Sequence, residues 1–174
     1  MAKPTFAKLK LKTDTSIKTI NFNDIEIEVK QYLPIDEIIS LIENIINNSA
    51  TELKFYNPAL VHLFYVLEVI YNYTNISFTD KQKEEPTKLY DTIVSSGLWN
   101  AIEEAIPEDE LDFICEALDD TINSIYKYQN SVMGILDTIS KDYSNLNLEA
   151  SDIQQKLADP ENLALLKDIM GKLG

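Results

Sequence analysis

Residues 111–143 read LDFICEALDDTINSIYKYQNSVMGILDTISKDY, and this stretch decides the fold class. Leu111, Cys115, Leu118, Ile122, Ile125, Gln129, Val132, Leu136, Ile139 and Tyr143 follow one another at alternating steps of four and three. That is the spacing of a heptad seam on an amphipathic helix, with Gln129 as its polar member. A continuous helix over 108–142 would be roughly 50 Å long at about 1.5 Å per residue, longer than a compact domain of this size needs. Gly134 is placed to bend or break it. Ile114, Tyr128 and Ile135 widen the apolar stripe beyond a two-stranded seam, so packing against several elements is expected. Leu111, Cys115, Leu118, Ile122, Ile125, Val132, Leu136 and Ile139 are therefore candidates for a core seam or for self-association. Cys115 is the single cysteine, and its place in this row predicts an inert, buried thiol.

Helical periodicity extends upstream to Pro34. Ile35, Ile38, Ile39, Ile42, Ile45 and Ile46 recur at three and four, and Asn47-Asn48 can stop the run. Asn57-Pro58 reads as an N-cap followed by proline at the first helical position, opening a helix to about residue 73. That helix is apolar nearly all round, which predicts the central element of the core. Pro86 opens another helix that Gly97 can end, and Trp99, Ile102 and Ile106 predict one more before Pro107. Downstream, Asp159-Pro160 divides the tail into two shorter helices, the last with Leu163, Leu166, Ile169, Met170 and Leu173 on one face.

Before Pro34 the period is two. Leu9 and Leu11 alternate with Lys8, Lys10 and Lys12, and Ile25, Ile27 and Val29 alternate with Glu26, Glu28 and Lys30. With a weaker strand over 17–22 between them, and turn chemistry at Asp14-Thr15-Ser16 and Asn23-Asp24, a small antiparallel meander is expected. The fold class is thus mainly α with a small N-terminal antiparallel β-meander (α+β), a helical bundle containing one long heptad-patterned helix. The expected domains are the meander over 1–33, a helical core over 34–145, and C-terminal helices over 146–174 that dock on the core or on a neighbour.

Composition narrows the chemistry. In 174 residues, 15 positive and 29 negative side chains leave a net charge of -14, and every positive one is lysine. Lys3, Lys8, Lys10, Lys12, Lys18 and Lys30 outnumber Asp14, Asp24, Glu26 and Glu28 in the first thirty residues, so that segment is basic and the remainder strongly acidic. Such a surface repels nucleic-acid phosphates and anionic lipid, and the lack of arginine removes the best bidentate phosphate ligand. Neither nucleic acid nor membrane is an expected partner. The longest apolar stretch, 59–71, contains His62 and Glu68 and falls short of the about 20 residues a span requires. The first residues lead into alternating Lys and Leu and not into an apolar block, so a soluble chain made in a cytoplasm is expected. A hydrophobic content of 45% argues against wholesale disorder.

Catalytic and metal constellations are not expected. The only histidine, His62, lies in the most apolar helix without a companion ligand, which predicts a satisfied core or boundary residue and no zinc site. The four glycines are scattered and build no phosphate loop. Nine carboxylates crowd positions 103–120: Glu103, Glu104, Glu108, Asp109, Glu110, Asp112, Glu116, Asp119 and Asp120. They can be a solvated helical face whose first acids favour the positive end of the helix dipole, or a contact surface for a basic partner. The order of acids needed for a calcium loop is missing. Tyr56, Tyr65, Tyr71, Tyr73, Tyr126, Tyr128 and Tyr143 suit core margins and protein interfaces equally. No cofactor is expected.

The run Ile25-Glu26-Ile27-Glu28-Val29-Lys30-Gln31-Tyr32-Leu33-Pro34, entering a helix after a lysine-rich hairpin, resembles the opening of small proteins from the morphogenesis regions of bacteriophages of low-GC bacteria. The phrases Tyr73-Thr74-Asn75-Ile76 and Leu157-Ala158-Asp159-Pro160-Glu161-Asn162-Leu163 are similar to that group as well, which includes tail assembly chaperone-like and other virion-associated proteins. The resemblance carries no residue set with assigned roles. It implies a partner made of virion or assembly protein, with homo-oligomer formation among the options, and residence in the host cytoplasm during assembly, with the virion as the further option. The expected function is phage tail or capsid morphogenesis through protein–protein binding, without catalysis. The competing expectation is an acidic inhibitor or DNA mimic that occupies a basic groove of a host protein.

Overall fold

The computed structural model describes residues 3, 5–51 and 55–145, with side chains through 140, and the two helices expected after 146 lie outside them. The chain is mainly helical with a small antiparallel sheet near its start, as the periodicities require. It divides into two compact units, Met1–Asn123 and Ser124–Gly174.

In the first unit, β1 (Ile17–Phe22) and β2 (Ile25–Lys30) form a hairpin in which Lys18 faces Val29 and Ile20 faces Ile27. The two loop residues Asn23 and Asp24 both have positive φ, 51° and 63°. A two-residue turn of that kind matches the right-handed twist of its strands, and asparagine and aspartate tolerate it best after glycine. Ile27 and Val29 are buried while Glu26, Glu28 and Lys30 are exposed, so alternation sets the register.

The expected strand through Leu9 and Leu11 does not form. Phe6–Leu9 is a 3₁₀ turn, Lys10 follows with φ 52°, and every described residue before Ile20 is exposed. Lysine–leucine alternation without a burying surface fixes no register, so the meander reduces to the β1–β2 hairpin.

Helix α1 (Ile35–Ser49) buries Ile38, Leu41, Ile42 and Ile45, a face centred on Leu41, which leaves Ile35 and Ile39 exposed. Helix α2 (Pro58–Tyr73) starts where Asn57 Oδ1 accepts the Ala59 N–H at 3.0 Å. It buries Leu63, Val66, Leu67, Val69, Ile70 and Tyr73 and packs against α1 and two later helices, the central position its composition predicts. The short α3 (Asp80–Lys83) is held by a capping box, with Thr79 and Gln82 each bonding the other's backbone. In α4 (Pro86–Ser95) Leu89 and Ile93 face inward; Gly97, at φ 78°, then turns the chain into α5 (Leu98–Glu103), which buries Trp99 and Ile102. Proline starts the one and glycine separates the two, as expected.

Pro107 precedes α6 (Glu108–Gln129), whose Ile114 and Leu118 complete the core with Leu111, Ala117 and Ile122 partly buried beside them. The inward stripe is therefore 111, 114, 118 and 122. Cys115 lies off it and is exposed, which corrects the buried thiol.

The boundary between the units falls within α6. In the second unit the helix ends at Gln129, Asn130-Ser131 breaks the path, and α7 (Val132–Asn145) begins. Ser131 Oγ donates to the Tyr128 carbonyl at 2.6 Å and accepts the Gly134 N–H at 3.1 Å. Gly134 packs so closely that a Cβ there would lie 2.1 Å from the Tyr128 carbonyl oxygen, a distance no side chain tolerates. The single long helix is thus two, broken next to the expected glycine.

Candidate protein-binding surfaces

The acidic residues gather where α5 hands over to α6. Glu103 and Glu104 end α5, Glu108, Asp109 and Glu110 fill the first turn of α6, and Asp112, Glu116, Asp119 and Asp120 continue along that helix. Eight of the nine are exposed. Those on α6 occupy the faces that Leu111, Ile114 and Leu118 leave to solvent, and the acids of its first turn lie where the helix dipole favours negative charge. Lys18 donates to the backbone carbonyl of Glu104 at 3.3 Å and so caps the C-terminus of α5. Among the described residues the ion pairs Lys30–Glu37 and Lys88–Glu85 lie elsewhere. Among the described residues no ion pair compensates these acids, and their field attracts cationic surfaces.

Glu110 differs from its neighbours. It is half-buried, and its Oε2 accepts the Tyr73 hydroxyl at 2.9 Å and the Leu33 N–H at 3.3 Å. Burial, then the hydrogen bond to this carboxylate, pushes the Tyr73 hydroxyl far above the ordinary tyrosine range, so it stays a donor. Glu110 is therefore a tie between α2, the chain after β2 and α6.

A second internal carboxylate, Glu68, accepts from Asn44 Nδ2 at 3.1 Å and from Asn72 Nδ2 at 3.4 Å. Burial raises its pKa, against the lowering effect of the two amides and of Lys83. Tyr65 stacks edge-to-face on Trp99 at 5.9 Å; burial and then the neighbouring Cys115 push its hydroxyl far upward. His62 lies at the surface and not in the core, its Nδ1 2.9 Å from the Tyr90 hydroxyl. Between α3 and α4 an open groove of about 370 Å³ is lined by Thr79, Lys81, Gln82, Glu85, Lys88 and Leu89. Among the described residues no group of three or more His, Cys, Asp or Glu side chains is arranged to hold a metal. No described helix is long and apolar enough to cross a membrane.

The heptad row divides in the same way as the units. In the first unit Leu118 is buried and Leu111 and Ile122 are partly so. In the second, Ile125 and Gln129 are half-buried, whereas Val132, Met133, Ile135, Leu136 and Ile139 on α7 are all exposed, Val132 to 74%. Tyr143 is beyond the described side chains. Five large apolar side chains over two turns form a contiguous patch of the kind that marks interaction surfaces.

Sequence reading located the acidic run and the apolar row. It missed the inward turn of Glu110, the Glu68 node and α3. Only the last left a signal, the Thr79-x-x-Gln82 spacing of a capping box. Comparison with protein-family models, curated proteins and solved structures finds no match for the chain.

Proposed function

We propose that this chain works by binding other proteins, as a tail or capsid morphogenesis component of a bacteriophage. One observation carries the binding role: the apolar residues of α7 keep heptad spacing yet stand in solvent. Heptad positions acquire their value when a partner's side chains fill the spaces between them. The partner in this reading is another virion or assembly protein, which seats on the α7 row. The acidic face of α5 and α6 keeps an abundant factor soluble and repels its own kind until that partner is met. Activity resides in the complex formed in the host cytoplasm during assembly, and no catalytic step or cofactor is required. The phage assignment rests on the resemblance of residues 25–34, 73–76 and 157–163.

Quantitative mass spectrometry of purified particles and of assembly intermediates tests this. The chain is expected in one or both at stoichiometric level, and replacing Leu136 and Ile139 by Asp should remove it from them. A chain missing from every intermediate, with normal particle yield after gene deletion, would sink the proposal.

The eight exposed carboxylates favour a second reading, an acidic inhibitor that enters the basic groove of a host DNA-binding protein. Its mark is affinity for such a protein that falls steeply with salt and is lost when Asp112, Glu116 and Asp119 become Asn, Gln and Asn, while Leu136→Asp leaves it intact.

A further inference from the structure

We propose that the free edge of β1 is a strand-pairing site for an extended, acidic segment of a partner protein. This goes beyond the morphogenesis reading and does not depend on it.

The hairpin leaves its two edges in different states. Gln31 N–H donates to the Ser16 carbonyl at 3.1 Å, so 16 and 31 form a hydrogen-bonded pair. By the alternation of an antiparallel ladder 18 with 29, 20 with 27 and 22 with 25 do the same. The main-chain groups of Glu28 therefore point out of the β2 edge, and both are met by one residue: Asn75 Oδ1 accepts the Glu28 N–H at 3.1 Å and Asn75 N–H donates to the Glu28 carbonyl at 3.3 Å. On β1 the outward groups belong to Ile17, Thr19 and Asn21. All three residues are exposed, and among the described residues no hydrogen bond reaches their main chain. Helix α5 contacts β1, and Lys18, which shares the face of its buried pair Val29, donates to the Glu104 carbonyl; neither places a hydrogen bond on the outward main-chain groups. An unpaired row of N–H and C=O groups binds an added strand, with affinity from the main chain and selectivity from alternate side chains.

Charge selects the occupant. Residues 1–22 hold five lysines and a lone aspartate, Asp14, in a chain of net charge -14. Lys8, Lys10 and Lys12 are exposed on the segment leading into the strand, and Lys18 is exposed on the strand itself. A partner strand with carboxylates gains cross-strand pairs with Lys18 and attraction from the segment before it, and apolar residues at its other positions meet the exposed Ile17. A second copy of β1 brings a second basic segment against the first, which lysines on an edge oppose.

The test uses the full-length, isotopically labelled chain and an end-capped peptide of about twelve residues alternating glutamate and valine, long enough to pair with β1 and the residues before it. Amide hydrogen exchange at Ile17, Thr19 and Asn21 is expected to be fast in the free protein and to slow roughly tenfold or more with this peptide. A lysine–valine peptide of equal length should leave it fast. Replacing Lys8, Lys10 and Lys12 by Glu, all at exposed positions, should abolish the protection while the exchange of core amides such as Val66 and Ile70 is unchanged. Thr19→Pro, which removes an outward donor without breaking a ladder bond, should do the same. Equal protection by both peptides, or by neither, overturns the proposal. Protection of these amides in the protein alone, growing with its concentration, overturns it in favour of a second copy.

Discussion

Glu110 is where three parts of the first unit converge, through Tyr73 at the end of α2, Leu33 after β2 and its own place in the first turn of α6. Glu110→Ala leaves a buried hydroxyl and a backbone N–H without their acceptor, which should lower stability by about 1–3 kcal/mol in chemical denaturation. Glu108→Ala, two residues away in the same turn and exposed, should fall within about 0.5 kcal/mol of the parent. Equal effects would mean that the Tyr73 contact contributes nothing. Nothing in the spacing of nine acids distinguishes this one, because the distinction comes from a tyrosine 37 residues earlier in the chain. Glu68 gives a pH-dependent counterpart. Its pKa is raised from 4.5 mainly by burial, so the folded chain holds the proton more tightly than the unfolded one. The contribution of this group to stability is greatest below about pH 4.5 and declines as pH rises through the folded-state value. Glu68→Gln keeps an acceptor for both asparagines and removes the buried charge. Its melting temperature relative to the parent should therefore rise between about pH 4 and pH 7, and a difference that is flat across this range would rule out burial as the cause.

At the scale of elements, α6 and α7 share one sequence pattern and have different surroundings. Ile114→Ala, at a fully buried position, should lower stability by about 2–5 kcal/mol, whereas Leu136→Ala on α7 should change it by less than about 0.5 kcal/mol. Similar losses at both sites would show that the α7 row is buried. Periodicity reports which side of a helix is apolar; what covers that side is decided by elements distant in sequence, and this is why the seam was legible and its burial was not. The lysine–leucine segment failed for the related reason that alternation needs a neighbouring strand and a core to act on. Turns and caps depend on a few adjacent residues, and Asn23-Asp24, Asn57-Pro58, Pro86 and Gly97 were all readable. The break after Gln129 depends on Gly134 in particular. Gly134→Ala places a methyl group against the Tyr128 carbonyl and raises helix propensity by about 1 kcal/mol, and the heptad spacing runs unbroken through the site. The variant should therefore join α6 to α7, seen as helical Cα chemical shifts at Asn130 and Ser131. Shifts that remain non-helical there would show that the break has another origin.

For the whole molecule, the α+β class was legible because the hydrophobic period switches from two to about 3.6 near Pro34, and the core of the first unit then forms from α1, α2, α4, α5, α6 and the inner face of one hairpin. Charge acts at this scale too. Eight exposed carboxylates on α5 and α6 repel one another without a cation paired to them among the described residues, so the melting temperature should rise as salt is increased from low to physiological strength, where the Debye length is about 8 Å. A fall would point to a dominant role for the Lys30–Glu37 and Lys88–Glu85 pairs. The uncovered side of β1 has a consequence for how the protein behaves in a tube. Its ammonium groups act as a fence against stacking of like chains, and acetylating them, or screening them in molar salt, takes the fence down. Preparations treated in either way should then nucleate cross-β fibrils from the amino-terminal hairpin.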